Sequence, residues 1–354
     1  MIHSISVSNL LVFQRSLRKT WSGIGKDNAE ISDDDFTLVF HDGINVLIGE
    51  NGTGKTSLLK MIYAATQVPS AAGNRDNKDI LRYFSDHLTD RSVLKNRHGM
   101  EDSYGFMVSS NGFDFAYNIS DGYYHCDEEW NDSDWRCVFI PDTEMLSHSK
   151  GFLALYNKLR IPFDVTQADI ITNASLPEPR EMTPVMERTL EKISTIIDGT
   201  VIMENDVFYI LKNDGHKVDF SLEAEGFRKL GLLWKLIRNG LLEPGSILLW
   251  DEPETNLNPE LYPVLVDLLL ELQRNKVQMI IATHSYNFAK YLEIRRTEDA
   301  QVVFHNLFWA GSSESKDHKI VCSSSAYTLE GLRDNAIMKA DENLLDEVYD
   351  LRTQ

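Results

Sequence analysis

Basic residues are what this chain is short of. It carries 35 Lys and Arg against 54 Asp and Glu, a formal net charge of −19. A surface so acidic repels a phosphate backbone, so nucleic-acid binding, though possible, would need a local basic patch and is not indicated by the net charge. One candidate patch is legible: Arg75, Lys78 and Arg82 at helical spacing, then Arg91, Lys95, Arg97 and His98. Asp76, Asp79, Asp86 and Asp90 interleave with it, and the bland alternative is a solvated, salt-bridged helix. Cysteine is scarce too. Cys126, Cys137 and Cys322 form an odd set without metal-ligand spacing, which points to a reducing, cytoplasmic compartment. No apolar run approaches the ~18 residues that suggest a membrane helix. The opening Met1 to Val7 alternates like a strand and lacks the regions of a signal peptide. No sustained heptad run, H-N-H pattern or TOPRIM-like acidic arrangement is present, so no coiled-coil arm or effector domain is expected within it.

What is present begins at Gly49-Glu50-Asn51-Gly52-Thr53-Gly54-Lys55-Thr56, which satisfies G-x-x-x-x-G-K-[ST]. Ile44 to Ile48 ahead of it reads as a short buried strand, and Ser57 to Ala64 behind it as the start of a helix. Small residues let the backbone wrap a phosphate chain, and the helix N-terminus aims N–H groups at it. The expected nucleotide contacts are Gly49, Glu50, Asn51, Gly52, Thr53, Gly54, Lys55, Thr56 and Ser57. Lys55 would reach the β- and γ-phosphates of ATP, and the Thr56 hydroxyl would take a Mg²⁺ position.

Much further along, Ser246 to Trp250 reads as an apolar strand ending in Asp251-Glu252-Pro253. With a phosphate loop present, Asp251 is expected to hold Mg²⁺ and Glu252 to activate the attacking water. Val277 to Ala282 is another apolar strand, ending in Thr283-His284-Ser285.

GENGTGKT, LLWDEPETNLNP and IIATHS, in that order, resemble the ABC-type ATPases. The similar branch is the soluble one with the RecF, chromosome-maintenance and OLD-like ATPases, the last including ATPases of bacterial antiphage systems. The resemblance implies an α/β fold: an ABC-type P-loop head with an antiparallel β N-lobe and a mainly helical insertion, here without coiled-coil arms. It implies that His284 contacts the γ-phosphate, so that Glu252, His284 and Lys55 form the catalytic set. It further implies that Asn256 to Asn258 cross a dimer interface. The family's signature helix matches Ser221 to Leu230, with Gly226 facing the nucleotide of a second copy. Ala224 stands where the family usually has a serine, which weakens that contact. Glu144 lies where a glutamine loop would be sought.

At 42% hydrophobic, the chain can bury one α/β core plus an inserted lobe. The expected organisation is a single discontinuous ATPase domain over 1–354. Residues 1–65 and 200–310 form the nucleotide-binding core, 66–199 an inserted lobe and 311–354 a C-terminal extension. Ile5 and Val7 are expected to pair with Phe36 to Phe40. Residues 66–98 read as helical. Gly99 to Trp135 has no Lys or Arg and reads as an antiparallel meander with an acidic face, and Asp341 to Leu351 as an acidic helix. Either acidic surface suits a basic, separately encoded partner such as a nuclease or toxin. Phe13 or Trp21 is placed to stack on adenine or to fill the core.

Overall fold

The computed structural model describes residues 1–14, 20–22, 30–32, 36–67, 78–84, 90–97, 103–159, 161, 163–179, 181–311 and 319–353. Arg75, His98 and the Trp21 side chain lie outside them.

Three short apolar runs set the architecture. Ile44–Gly49, Gln278–Ala282 and Ile247–Asp251 are buried at every position, as strands covered on both faces must be. They form the middle of a six-stranded sheet in the order Lys319–Ala326, Val302–Gly311, Ile44–Gly49, Gln278–Ala282, Ile247–Asp251, Cys137–Ile140. Neighbours run parallel except at the Lys319–Ala326 edge. Parallel pairing brings the C-terminal ends of these strands to one side, and the loops that follow them carry the motifs.

Side chains alternate between two cores along the phosphate-loop strand. Ile44, Val46 and Ile48 join one apolar cluster with the helices Phe152–Leu159, Val165–Ala174, Pro184–Ile197, Glu225–Arg238, Tyr262–Arg274 and Tyr286–Arg295. Leu47 joins the other, where helix Lys55–Gln67 lies between the central sheet and a second, antiparallel sheet. That second sheet has the order Phe36–Val39, Ser4–Ser8, Gly105–Ser110, Phe113–Asn118, Tyr123–Cys126. Ile5 pairs with Leu38 on one side and Val108 on the other, as expected for the N-lobe. The meander is antiparallel, and its Trp130 is buried, with Nε1 donating to the Ala65 carbonyl at 3.1 Å.

Details differ from the sequence reading. Within 66–199, Cys137–Ile140 is a strand of the central sheet itself, pairing Ile140 with Trp250. Of 66–98, the described helical pieces are the end of helix Lys55–Gln67, the single turn Lys78–Leu81 and the 3-10 turn Arg91–Leu94. Arg82 donates to the Tyr156 hydroxyl at 3.0 Å. The tail helix begins before Asp341, spanning Ala336–Thr353 with Ile337 and Met338 packed on the core. Among the described residues, no helix is long and apolar enough to cross a membrane.

Candidate functional site: the phosphate cradle and its switch

The cradle needs glycine at positions that backbone geometry dictates. Gly49 has φ +137°, and a Cβ there would sit 2.0 Å from the Leu307 carbonyl oxygen of the neighbouring strand. Gly54 has φ +90°, and its Cβ would meet the Phe13 ring at 2.5 Å. Phe13 is therefore core beneath the loop, packed on Phe36 with ring centroids 4.5 Å apart, and not a base-stacking residue. The Thr53 hydroxyl donates to the Glu50 carbonyl at 2.8 Å.

Lys55 is buried and donates to the carbonyls of Gly49 at 3.0 Å and Glu50 at 2.9 Å, spanning its own loop. Burial pulls its pKa down to about 8, against the opposing fields of Asp251, Glu252 and Glu50. Thr56 donates to the buried Asp251 carboxylate at 2.7 Å, joining the first motif to the second. Asp251 is pushed up to about 6 by burial; the Thr56 bond opposes the shift, while Asp142 and Glu252 add to it.

Glu252 follows in a left-handed conformation, φ 48°, which side chains rarely adopt without support. Its N–H donates to Ala282 at 2.9 Å, and its carbonyl accepts from Lys229 at 3.1 Å. One carboxylate oxygen accepts from Thr255 at 2.8 Å, and the other lies 3.7 Å from His284 Nε2. Both side chains are about one-third exposed (34% and 35%), so water can reach them. Burial lowers the His284 pKa; Lys55 adds to this and Glu252 opposes it. The structure thus brings Lys55, Thr56, Asp251, Glu252 and His284 to one place.

Gly226 and Asn256 form a separate group. Asn256, also left-handed at φ 60°, donates to Glu225 at 2.8 Å, and a Cβ on Gly226 would meet Leu257 at 3.0 Å. Ala224 is the N-cap of helix Glu225–Arg238 and gives no side-chain cap bond. Among the described residues, no hydrogen bond joins Gly226 or Asn256 to the phosphate loop. Glu144 has its partners within its own segment and on helix Glu225–Arg238. It is buried, accepting from the Leu146 N–H at 2.5 Å and lying 3.4 Å from Arg228.

A family model described as "AAA domain, putative AbiEii toxin, Type IV TA system" matches residues 44–170 and 154–289. The chain belongs to this AAA-domain family. A DNA replication and repair protein RecF of Staphylococcus haemolyticus (strain JCSC1435) is 39% identical over 66 residues, covering 19% of this chain and 18% of the relative. The RecF of Staphylococcus aureus (strain JH9) matches to the same extent. The chain thus spans under a fifth of the length of these curated relatives. A solved SMC head, bound to the C-winged helix domain of ScpA, shares the fold with a TM-score of 0.52 at 13% identity, covering 96% of this chain and 99% of that one. The family match therefore shows an AAA domain, and the SMC head shows that its fold is shared.

The sequence motifs do not single out three groups near this site. Lys229 reaches the Glu252 turn from helix Glu225–Arg238, and buried Glu254 accepts from Thr283 at 2.5 Å. Asp142 follows the strand beside Asp251 and acts on it electrostatically. The run Val138-Phe139-Ile140 carried the only local hint, since a short apolar run fits strand or helix alike.

Proposed function

We propose that this ATPase is the regulatory subunit of a two-component system. It closes as a homodimer around ATP and controls a separately encoded effector such as a nuclease or toxin, with antiphage defence as the setting. The observation that carries the reading is the split between the two groups of residues. Lys55, Thr56, Asp251, Glu252 and His284 converge within one chain, while Asn256 is bonded to Glu225, the residue before Gly226, and among the described residues neither Asn256 nor Gly226 is bonded to that chain's own loop. A second copy supplying Gly226 completes each site, so two copies enclose two nucleotides.

Lys55 neutralises the β- and γ-phosphates, and the Gly49–Thr56 N–H groups wrap them. Thr56 and Asp251 offer a hydroxyl and a carboxylate 2.7 Å apart, hard oxygen donors that suit Mg²⁺, which when bound would offset phosphate charge. Glu252 takes the proton of the attacking water, and His284 donates towards the γ-phosphate oxygens. Glu252→Gln should keep ATP binding and stop hydrolysis; hydrolysis at the wild-type rate would remove Glu252 from the role of base.

The regulatory part is supported by the toxin–antitoxin wording of the family description and by the acidic meander, where Glu128, Glu129, Asp132 and Asp134 are exposed. Such a face suits a basic partner. Co-purification with the products of neighbouring genes, then charge reversal at Glu128 and Glu129, tests it. An unchanged affinity and salt dependence after reversal would exclude this face. The RecF matches favour a second reading, a DNA repair or recombination ATPase. Gel shift at graded salt separates the two, because a DNA-binding head loses affinity steeply as salt rises.

A further inference from the structure

Lys229 is a buried amine, 3% exposed, on the helix that begins at Glu225. Packing alone does not call for it, since an apolar side chain of that length fills the same space without desolvating a charge. Its Nζ donates to the Glu252 carbonyl at 3.1 Å, and the Glu252 N–H is held by Ala282 at 2.9 Å. The two peptide groups flanking the Glu252 side chain are therefore pinned from opposite sides, one by the neighbouring strand and one by the signature helix. A left-handed residue keeps its conformation only where the surroundings over-determine it; the Thr255 N–H holds the same carbonyl at 3.1 Å from within the turn, and Lys229 adds the hold from outside it.

The same helix grips the turn a second time. Glu225, in its first turn, accepts from Asn256 at 2.8 Å. Within the turn lies buried Glu254, the carboxylate that acts most strongly on Lys229. One Glu254 oxygen accepts from the Thr283 hydroxyl at 2.5 Å, and the other is buried without a hydrogen-bond partner. The Thr283 hydroxyl in turn accepts from the Ser285 N–H at 3.0 Å, bracing the loop on both sides of His284. A line of contacts thus runs from the helix that carries Gly226, through Lys229, to Glu252 and on to the histidine loop.

We propose that Lys229 is a positioning residue that makes the direction of the Glu252 side chain depend on the placement of the signature helix. Engagement of that helix by a second copy then sets the catalytic carboxylate, and hydrolysis follows assembly. This deepens the reading above, resting on Glu252 as the base and Gly226 as the group that meets the second copy. Lys229 touches neither substrate nor reacting atoms in it.

The test compares Lys229→Met/Glu254→Gln with Glu254→Gln alone. Lys229→Met by itself leaves the buried Glu254 carboxylate without its cation and can lose stability for that reason. Neutralising Glu254 in both chains removes that effect and isolates the lost bond to Glu252. The expected result is an equal melting temperature, equal affinity for a non-hydrolysed ATP analogue and equal analogue-promoted dimer, with kcat lower by roughly 10–100-fold, the scale of a misplaced catalytic group. Lys229→Arg, which keeps charge and donors, should recover most of the rate and serves as the second comparison if the double variant does not fold. A double variant with the kcat of its Glu254→Gln parent, or Lys229→Arg no faster than Lys229→Met, would overturn the proposal. Glu252→Gln run beside them separates the failures. Full activity there removes the base assignment, whereas an inactive Glu252→Gln with a fully active double variant removes only the role of Lys229.

Discussion

At the phosphate loop, Lys55 bonds two carbonyls of its own loop, Thr56 bonds Asp251, and Gly54 rests on the Phe13 ring. At the start of helix Glu225–Arg238, by contrast, Leu222 is 81% exposed, Ala224 offers no capping oxygen, and Glu225 is bonded to Asn256 of the turn that follows Asp251. The first region is closed by contacts within one chain. The second is braced from behind by Lys229 and left open in front.

Substitutions can break this comparison, and the largest effect falls on the closed side. Glu252→Gln should lower kcat about 10²–10⁴-fold, the range for loss of a general base, with ATP affinity unchanged. Single-turnover hydrolysis beside equilibrium binding checks it, and a parallel loss of affinity would make Glu252 part of the cradle instead. Lys55→Ala should weaken ATP binding by roughly 10–100-fold through loss of charge-assisted hydrogen bonds. Calorimetric titration with a non-hydrolysed analogue measures this.

Two glycines sharpen the contrast. Gly49→Ala forces a side chain into φ +137° and into the Leu307 carbonyl, costing about 1–3 kcal/mol from backbone strain before the clash is counted. Gly226→Ala meets only the tip of Leu257 at 3.0 Å, so the melting temperature should barely move while ATP-promoted assembly weakens. Thermal melts should therefore separate the two variants, with Gly49→Ala melting well below Gly226→Ala.

The smallest effect is a pH dependence of Val302–Gly311, the strand beside the one that carries the loop. His305 is fully buried, with Nδ1 2.7 Å from Ser325 and Nε2 3.3 Å from Asn45. Burial, helped by His41, depresses its pKa from 6.5 to about 3. The unfolded chain binds this proton between those values and the folded one does not. Stability is therefore intact above pH 6.5 and declines as pH falls towards 3. His305→Asn should flatten the acid arm of the melting-temperature profile between pH 7 and 5.

The cradle and the N-lobe pairing were legible because both are local. A loop motif between strand and helix, or an alternating strand, carries its signature in neighbouring residues. The Thr56–Asp251 bond was also legible, since two motifs implied one metal position. Lys229, Glu254 and the Cys137–Ile140 strand were not. Lys229 sits within a helix whose period explains its neighbours, and its partner, the Glu252 carbonyl, belongs to backbone that any residue would present. Cys137–Ile140 is too short for periodicity to declare, and it is fixed by pairing with Ile247 to Trp250. Phe13 read either as a stacking residue or as core because aromatic chemistry suits both, and only the geometry under Gly54 decides.

The most direct test of the open signature turn is sedimentation of Glu252→Gln, with and without Mg²⁺ and ATP. The expected result is a nucleotide-promoted dimer, lost again when Gly226→Asp is added. A protein that stays monomeric in both conditions would contradict it, since no second chain would then complete the site.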